Sequence, residues 1–274
     1  MIHDHEQRLL DLALAKVSQH PLIAWDNMAA RAVLSGSAVA ADGARENAAS
    51  FTTYDRWRPA GDGAQVFEAL IGADEDPVTF LAISAHNLGA IGAQIAWQYN
   101  HAAIGGTWQA ASPVLPADRG AMAWRIPPVA ARRWRLTLTL PAGTRANIGV
   151  IFIGAEMILP LPLYQGVAPV IVPNQIELET NVSEGGNLLG TALVRSGSKL
   201  SLSLSLLRAD YVRGEFKPFM AWFNRGRGFF LAWRPHRFPE DLHYGWRSGG
   251  VIQPQNSGPL DFMSAALEMR IYDG

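Results

Sequence analysis

Residues 133–140 read Arg133-Trp134-Arg135-Leu136-Thr137-Leu138-Thr139-Leu140. Side chains alternate across a strand, so Trp134, Leu136, Leu138 and Leu140 share one face and Arg133, Arg135, Thr137 and Thr139 the other. Such a strand has one face in a core and one in water. Farther on, Ser198-Lys199-Leu200-Ser201-Leu202-Ser203-Leu204-Ser205-Leu206 repeats the pattern with leucines on one side and hydroxyls on the other. Short apolar runs at 66–71, 79–85, 93–99, 122–126 and 148–153 are parted by turn residues. Runs at that spacing make a sandwich or a barrel, and the fold class expected is mainly β.

Two segments break the two-residue period. Over 4–18, Asp4 and Gln7 stand in capping-box spacing, and Leu10, Ala13, Leu14 and Val17 follow at helical intervals, which predicts an N-terminal helix ended by His20-Pro21. Over 216–223, Phe216, Phe219, Met220 and Phe223 have the same spacing, with Pro218 tolerable in a first turn and Gly226 as a stop. The prolines at 160, 162, 169 and 173 form a bridge that disfavours ladder hydrogen bonds. The expected organisation is 1–45 helix and connection, 46–160 first β domain and 161–274 second β domain.

Hydrophobic residues make up 49% of the 274 and charged ones 17%, enough apolar mass for two packed cores. The formal net charge of -1 gives no global field to draw in nucleic acid or an anionic membrane. Without cysteine there is no disulfide, Cys-based metal site or thiol nucleophile. Met1-Ile2-His3-Asp4-His5-Glu6 does not read as a signal peptide, and no run of about 18 apolar residues suggests a membrane span. Gly-x-Ser-x-Gly, a phosphate-cradling Gly-rich loop followed by Lys, and His-Glu-x-x-His are all missing. No cofactor, metal or catalytic residue is expected.

Three segments resemble a discoidin-like (galactose-binding-like) jelly roll: Glu46-Asn47-Ala48 leading to Tyr54-Asp55-Arg56-Trp57-Arg58-Pro59, then Leu81-Ala82-Ile83-Ser84-Ala85-His86-Asn87-Leu88-Gly89, then Ala131-Arg132-Arg133-Trp134-Arg135-Leu136 followed by 148–154. The stretch Phe216-Lys217-Pro218-Phe219-Met220-Ala221-Trp222-Phe223-Asn224-Arg225-Gly226-Arg227-Gly228-Phe229-Phe230-Leu231-Ala232-Trp233-Arg234-Pro235 resembles a tail-tip or baseplate module of long-tailed bacteriophages. That module is a small β-barrel or split barrel of the tail-tube type with one packed helix. The resemblance implies a virion structural protein of the phage tail, assembled in the host cytoplasm. Its partners would be copies of itself in a ring, the tail tube, hub and tape measure, and a host surface glycan held by the jelly roll. Nucleic acid would meet it only in passing through the tail channel.

Tyr54, Asp55, Arg56, Trp57 and Arg58 form a candidate carbohydrate loop, in which an aromatic face stacks on a sugar ring and the charged groups bond its hydroxyls. The plainer reading has Trp57 filling the base of the sandwich, and the large apolar area of Trp favours it. Trp97 and Trp108 are open to the same pair of readings. Phe216, Phe219, Phe223, Arg225, Arg227, Trp233 and Arg234 form a candidate inter-subunit surface, Arg and aromatics being enriched at interfaces. The eight basic residues between 208 and 247 also suit a nucleic-acid groove, the less favoured alternative. His86 reads as structural, and His3-x-His5 is weak evidence of a metal. Asp74-Glu75-Asp76, or Glu177 with Glu179, would serve glycoside hydrolysis only if a pocket brought a pair together. A carbohydrate-binding module outside any virion and a glycan hydrolase stand as the alternative functions.

Overall fold

The computed structural model describes residues 1–72, 75–163, 166–257 and 261–273. They form two compact units, Met1–Pro162 with Gly228–Tyr244, and Leu163–Arg227 with Gly245–Asp273. The first unit thus includes the N-terminal 45 residues and a late segment that sequence order places in the second half. In consequence the 216–235 stretch is split, its helix lying in one unit and its strand in the other.

The first unit is a β-sandwich of the expected jelly-roll class. One sheet runs in the order Ile2–Asp4, Met122–Val129, Val78–His86, Ile148–Gly154, with only the first pair parallel. The other runs Val33–Gly36, Gly63–Leu70, Arg133–Leu140, Gln94–Asn100, Gln109–Ala110. Arg133–Leu140 is central, and its register sets Leu136 opposite Phe67 on one side and Trp97 on the other. Trp134, Leu136, Leu138 and Leu140 are buried as the alternation requires, in one core with Trp57, Trp97 and Trp124. The strand Val78–His86 is buried on both faces over its first eight residues. Its outer face is covered because Phe80 and Phe152 lie 6.1 and 5.8 Å from Phe230. Phe230 belongs to Phe229–Ala232, a strand paired with Leu22–Ala24.

The N-terminal helix forms over Glu6–Leu14, with His5 at its cap accepting from the Gln7 amide. Its buried residue is Leu12, whereas Leu10 and Leu14 of the expected stripe are exposed. The helix is oriented instead by charge. Arg8 pairs with the fully buried Glu156 carboxylate, which also accepts from the Thr79 hydroxyl. Nearby, Asp4 and the buried Arg125 form an ion pair at 3.1 Å. Burial raises the Asp4 pKa and lowers that of Arg125, so both ions are held against a desolvation cost.

In the second unit Leu188–Arg208 pairs with Gln175–Val182 over its first half and with Phe262–Ile271 over its second. Gly245 to Arg247, the end of the strand Leu242–Arg247, flank Phe262–Ile271 on the other side. Leu200, Leu202 and Leu204 point into a core as the alternation predicts. Leu206 leaves it, because a register shift falls between Leu204 and Leu207 and Leu206 takes a positive φ of 57°. Helices Ala209–Arg213 and Phe216–Asn224 follow. The described strands form an open sheet in place of the expected barrel or split barrel, with Gln175–Val182 as an edge.

Candidate functional site

The carbohydrate loop does not present its five residues together. Trp57 is fully buried, its backbone bonded both ways to Ile148 at 2.8 and 3.0 Å and its ring edge-on to Phe67 at 5.4 Å. Its ring lies in the core, where the plainer reading puts it. Arg58 pairs with Asp42, and the Arg56 carbonyl accepts from Asn47. Tyr54 stands out at 91% exposure, with Asp55 exposed beside it. Trp97 is likewise core. Trp108 is half-buried, with the guanidiniums of Arg135 and Arg133 at 4.1 and 4.8 Å from its ring centre. Glu68 and Gln98 hold those two arginines in place.

The proposed inter-subunit surface is also revised. Phe216, Phe219 and Phe223 are fully buried within the chain and run ring to ring, 5.5 and 6.0 Å apart. Helical spacing marks a buried face, and here that face belongs to the chain's own core. Arg225 is exposed, and Arg227 lies 4.6 Å from the Trp222 ring. Trp233 donates to Asp241 at 2.7 Å and stacks on Phe238, with Arg234 at 5.5 Å. Trp233 and Arg234 belong to the first unit, the other five to the second. Arg227 and Arg234 are thus used in cation–π contacts within the chain.

A different surface emerges from the second unit. Gln175–Val182 and the first half of Leu188–Arg208 form a two-stranded arm, and every residue of 171–196 except Ser183 is exposed. Cross-strand partners share a face, so the register sorts the arm's side chains. One face carries Ile176, Leu178 with Leu193, Thr180 with Thr191, and Val182 with Leu188. Its five aliphatic side chains are 55–66% exposed. The other face carries Glu177 with Arg195, Glu179 and Asn181. Register shifts after Glu177 and Asn181 place Val194 and Leu189 as extra residues, and these are exposed as well. The turn closes through Ser183 donating to Asn187 at 2.8 Å and Gly186 to Ser183 at 2.9 Å. Gly186 sits at a φ of 80°, where a side chain would be strained. At the root, the Asn174 amide bonds the Lys199 backbone twice, at 2.7 and 2.8 Å, which fixes where the arm leaves the sheet.

No protein-family model matches the chain, and no curated protein matches it. Solved structures do resemble part of it. A Ruminococcus gnavus GH29 fucosidase in complex with fucose matches 48% of this chain at 15% identity and a TM-score of 0.42, and the match spans 27% of the fucosidase. Chitosan-binding module 1 from a Paenibacillus sp. IK-5 chitosanase/glucanase matches 50% of this chain and 98% of its own, at 16% identity and a TM-score of 0.40. A Streptococcus pneumoniae fucose binding module matches 47% of this chain and 97% of its own, at 12% identity and a TM-score of 0.38.

The other candidates have local explanations. His5 caps the helix and His3 stacks on Trp124 at 5.7 Å, so the His-x-His pair is divided between two structural tasks. Among the described residues no group of three His, Asp or Glu is placed to hold a metal. Asp74 lies outside the described residues, and Glu75 binds Arg31 at 2.5 Å. Glu177 and Glu179 are the solvated face of the arm. Asn87 clamps a loop, donating to the Arg145 carbonyl at 2.9 Å and accepting from Asn147 at 2.7 Å.

The ring nitrogens of His86, one residue earlier, are enclosed, and burial pushes its pKa down to about 4 from 6.5. Below about pH 6.5 the unfolded chain takes up a proton that the folded one refuses. Stability is therefore full above that pH and falls as pH drops toward 4, by up to ~3 kcal/mol. Urea titrations across that range should show the fall in the native chain and a flatter profile in His86→Gln. Identical profiles would count against a neutral buried His86.

Proposed function

We propose that this protein is a non-catalytic assembly protein, a β-sandwich fastened into a larger structure by the arm of its second unit. The uncovered aliphatic face of the arm carries this reading. A two-stranded ribbon is marginal in water unless one face is covered. Contiguous exposed aliphatic side chains rimmed by polar ones mark protein interfaces. In its finer form, this is a tail-tip or baseplate component of a long-tailed phage virion, assembled in the host cytoplasm. Its neighbours are then copies of itself in a ring, the tail tube, hub and tape measure. That form rests on the sequence resemblance of the 216–235 stretch alone, whose helix and strand fall in different units, and no cofactor enters it. A chain in which a short turn joins Gln175 directly to Gly197 is expected to be lost from purified particles, as judged by mass spectrometry, while the full chain is retained. Equal retention would sink the reading.

Glycan binding by the first unit is the second reading. The observation favouring it is the loop position of Tyr54, 91% exposed beside Asp55 and Arg56. A bare aromatic face with polar neighbours is what a sugar ring requires. On a glycan array Tyr54→Ala should abolish any binding that the arm-shortened chain keeps. Binding unchanged by Tyr54→Ala would remove this loop from consideration.

A further inference from the structure

We infer that the partner of the arm is the arm of a second copy, packed aliphatic face to aliphatic face about a two-fold axis. This rests on the reading of the arm as an attachment surface and names its occupant. The patch contains Ile176, Leu178, Val182, Leu188, Leu193 and two threonines, with no charge on that face. With no charge to repel a second copy, such a patch can face its own like, and a self-complementary patch closes as an isologous pair.

The area suffices. Five aliphatic side chains exposed by 55–66% present on the order of 500–600 Å² per copy, and roughly 1,100 Å² for a pair, near the lower limit of specific interfaces.

Charge decides between face and edge. Gln175–Val182 is a sheet edge with unpaired backbone groups, and two such edges could join antiparallel. That pairing would set Glu177 and Glu179 of one copy against the same residues of the other, and opposed like charges destabilise a ladder. Face packing leaves Glu177, Glu179 and Arg195 in water. It also sets the two ribbons about 10 Å apart with their mid-points on the axis. The Thr180 and Thr191 pair lies near the middle of the ribbon and meets its counterpart there.

The absence of cysteine makes the arrangement directly readable. Thr180→Cys and Glu179→Cys are adjacent, both exposed, and on opposite faces. Under mild oxidation of the full chain, Thr180→Cys is expected to form disulfide dimers at least about tenfold faster than Glu179→Cys, as a raised effective concentration dictates. Faster coupling through Glu179→Cys, or equal rates, overturns face packing. If neither couples while the arm-shortened chain is still lost from particles, the arm attaches to another protein and only the partner assigned here is wrong. If neither couples and shortening changes nothing, the attachment reading falls too.

Discussion

Glu156→Ala is expected to lower the stability of the first unit by about 3–5 kcal/mol, the cost of stranding a buried ion. The Glu156 side chain is fully buried, and the Arg8 side chain opposite is 13% exposed. Removing the carboxylate leaves that guanidinium and the Thr79 hydroxyl without their acceptor in a region where Arg125 already carries positive charge. Glu156→Gln keeps acceptor and shape and should lose less. Replacing Arg8 and Glu156 together by Met removes both charges and should cost less than Glu156→Ala, since apolar packing substitutes well for a buried pair. Urea unfolding followed by Trp fluorescence measures all three. A loss under ~1 kcal/mol for Glu156→Ala would mean that the pair is effectively solvated.

Phe219→Ala is expected to cost the second unit a similar amount, about 3–5 kcal/mol, through lost transfer energy and the cavity left behind. Phe219 is fully buried between Phe216 and Phe223. The substitution therefore separates the two readings of this helix. As a core residue, Phe219 lowers the melting temperature when truncated and leaves the association of the remaining folded protein unchanged. As an interface residue it would do the reverse. Stability intact with weakened association would restore the helix as a docking surface.

The first sandwich was legible because its strands obey local rules. Arg133–Leu140 alternates cleanly, and its buried and half-exposed residues fall where period two puts them. Val78–His86 was readable as a strand but not as one buried on both faces. The cover comes from Phe229–Ala232, some 150 residues away, and no local pattern announces that. Arg125 and Glu156 were missed for the same reason, since their partners lie far off in sequence. Leu206 went astray because a bulge shifts the phase of an otherwise perfect alternation.

The two candidate sites were legible only in part. Tyr54 and Trp57 are near neighbours with similar sequence credentials, yet backbone bonds to Ile148 drive one ring inward and leave the other in water. Helical spacing at Phe216, Phe219 and Phe223 identified a buried face without saying what buries it. The arm was the hardest to see. Alternation in Ile176-Glu177-Leu178-Glu179 normally means a half-buried strand, and only the three-dimensional register shows that both of its faces are exposed.

Sedimentation velocity of the full chain over a concentration series tests the pairing of one arm with the arm of a second copy most directly, with Leu178→Ser/Leu193→Ser as the comparison. The native chain should pass from monomer to dimer in the micromolar range. The double variant, with an unchanged melting temperature, should need at least about a hundredfold more protein, as the loss of central contacts implies. A native chain that stays monomeric throughout, or a variant that associates equally well, would contradict the pairing of the arms.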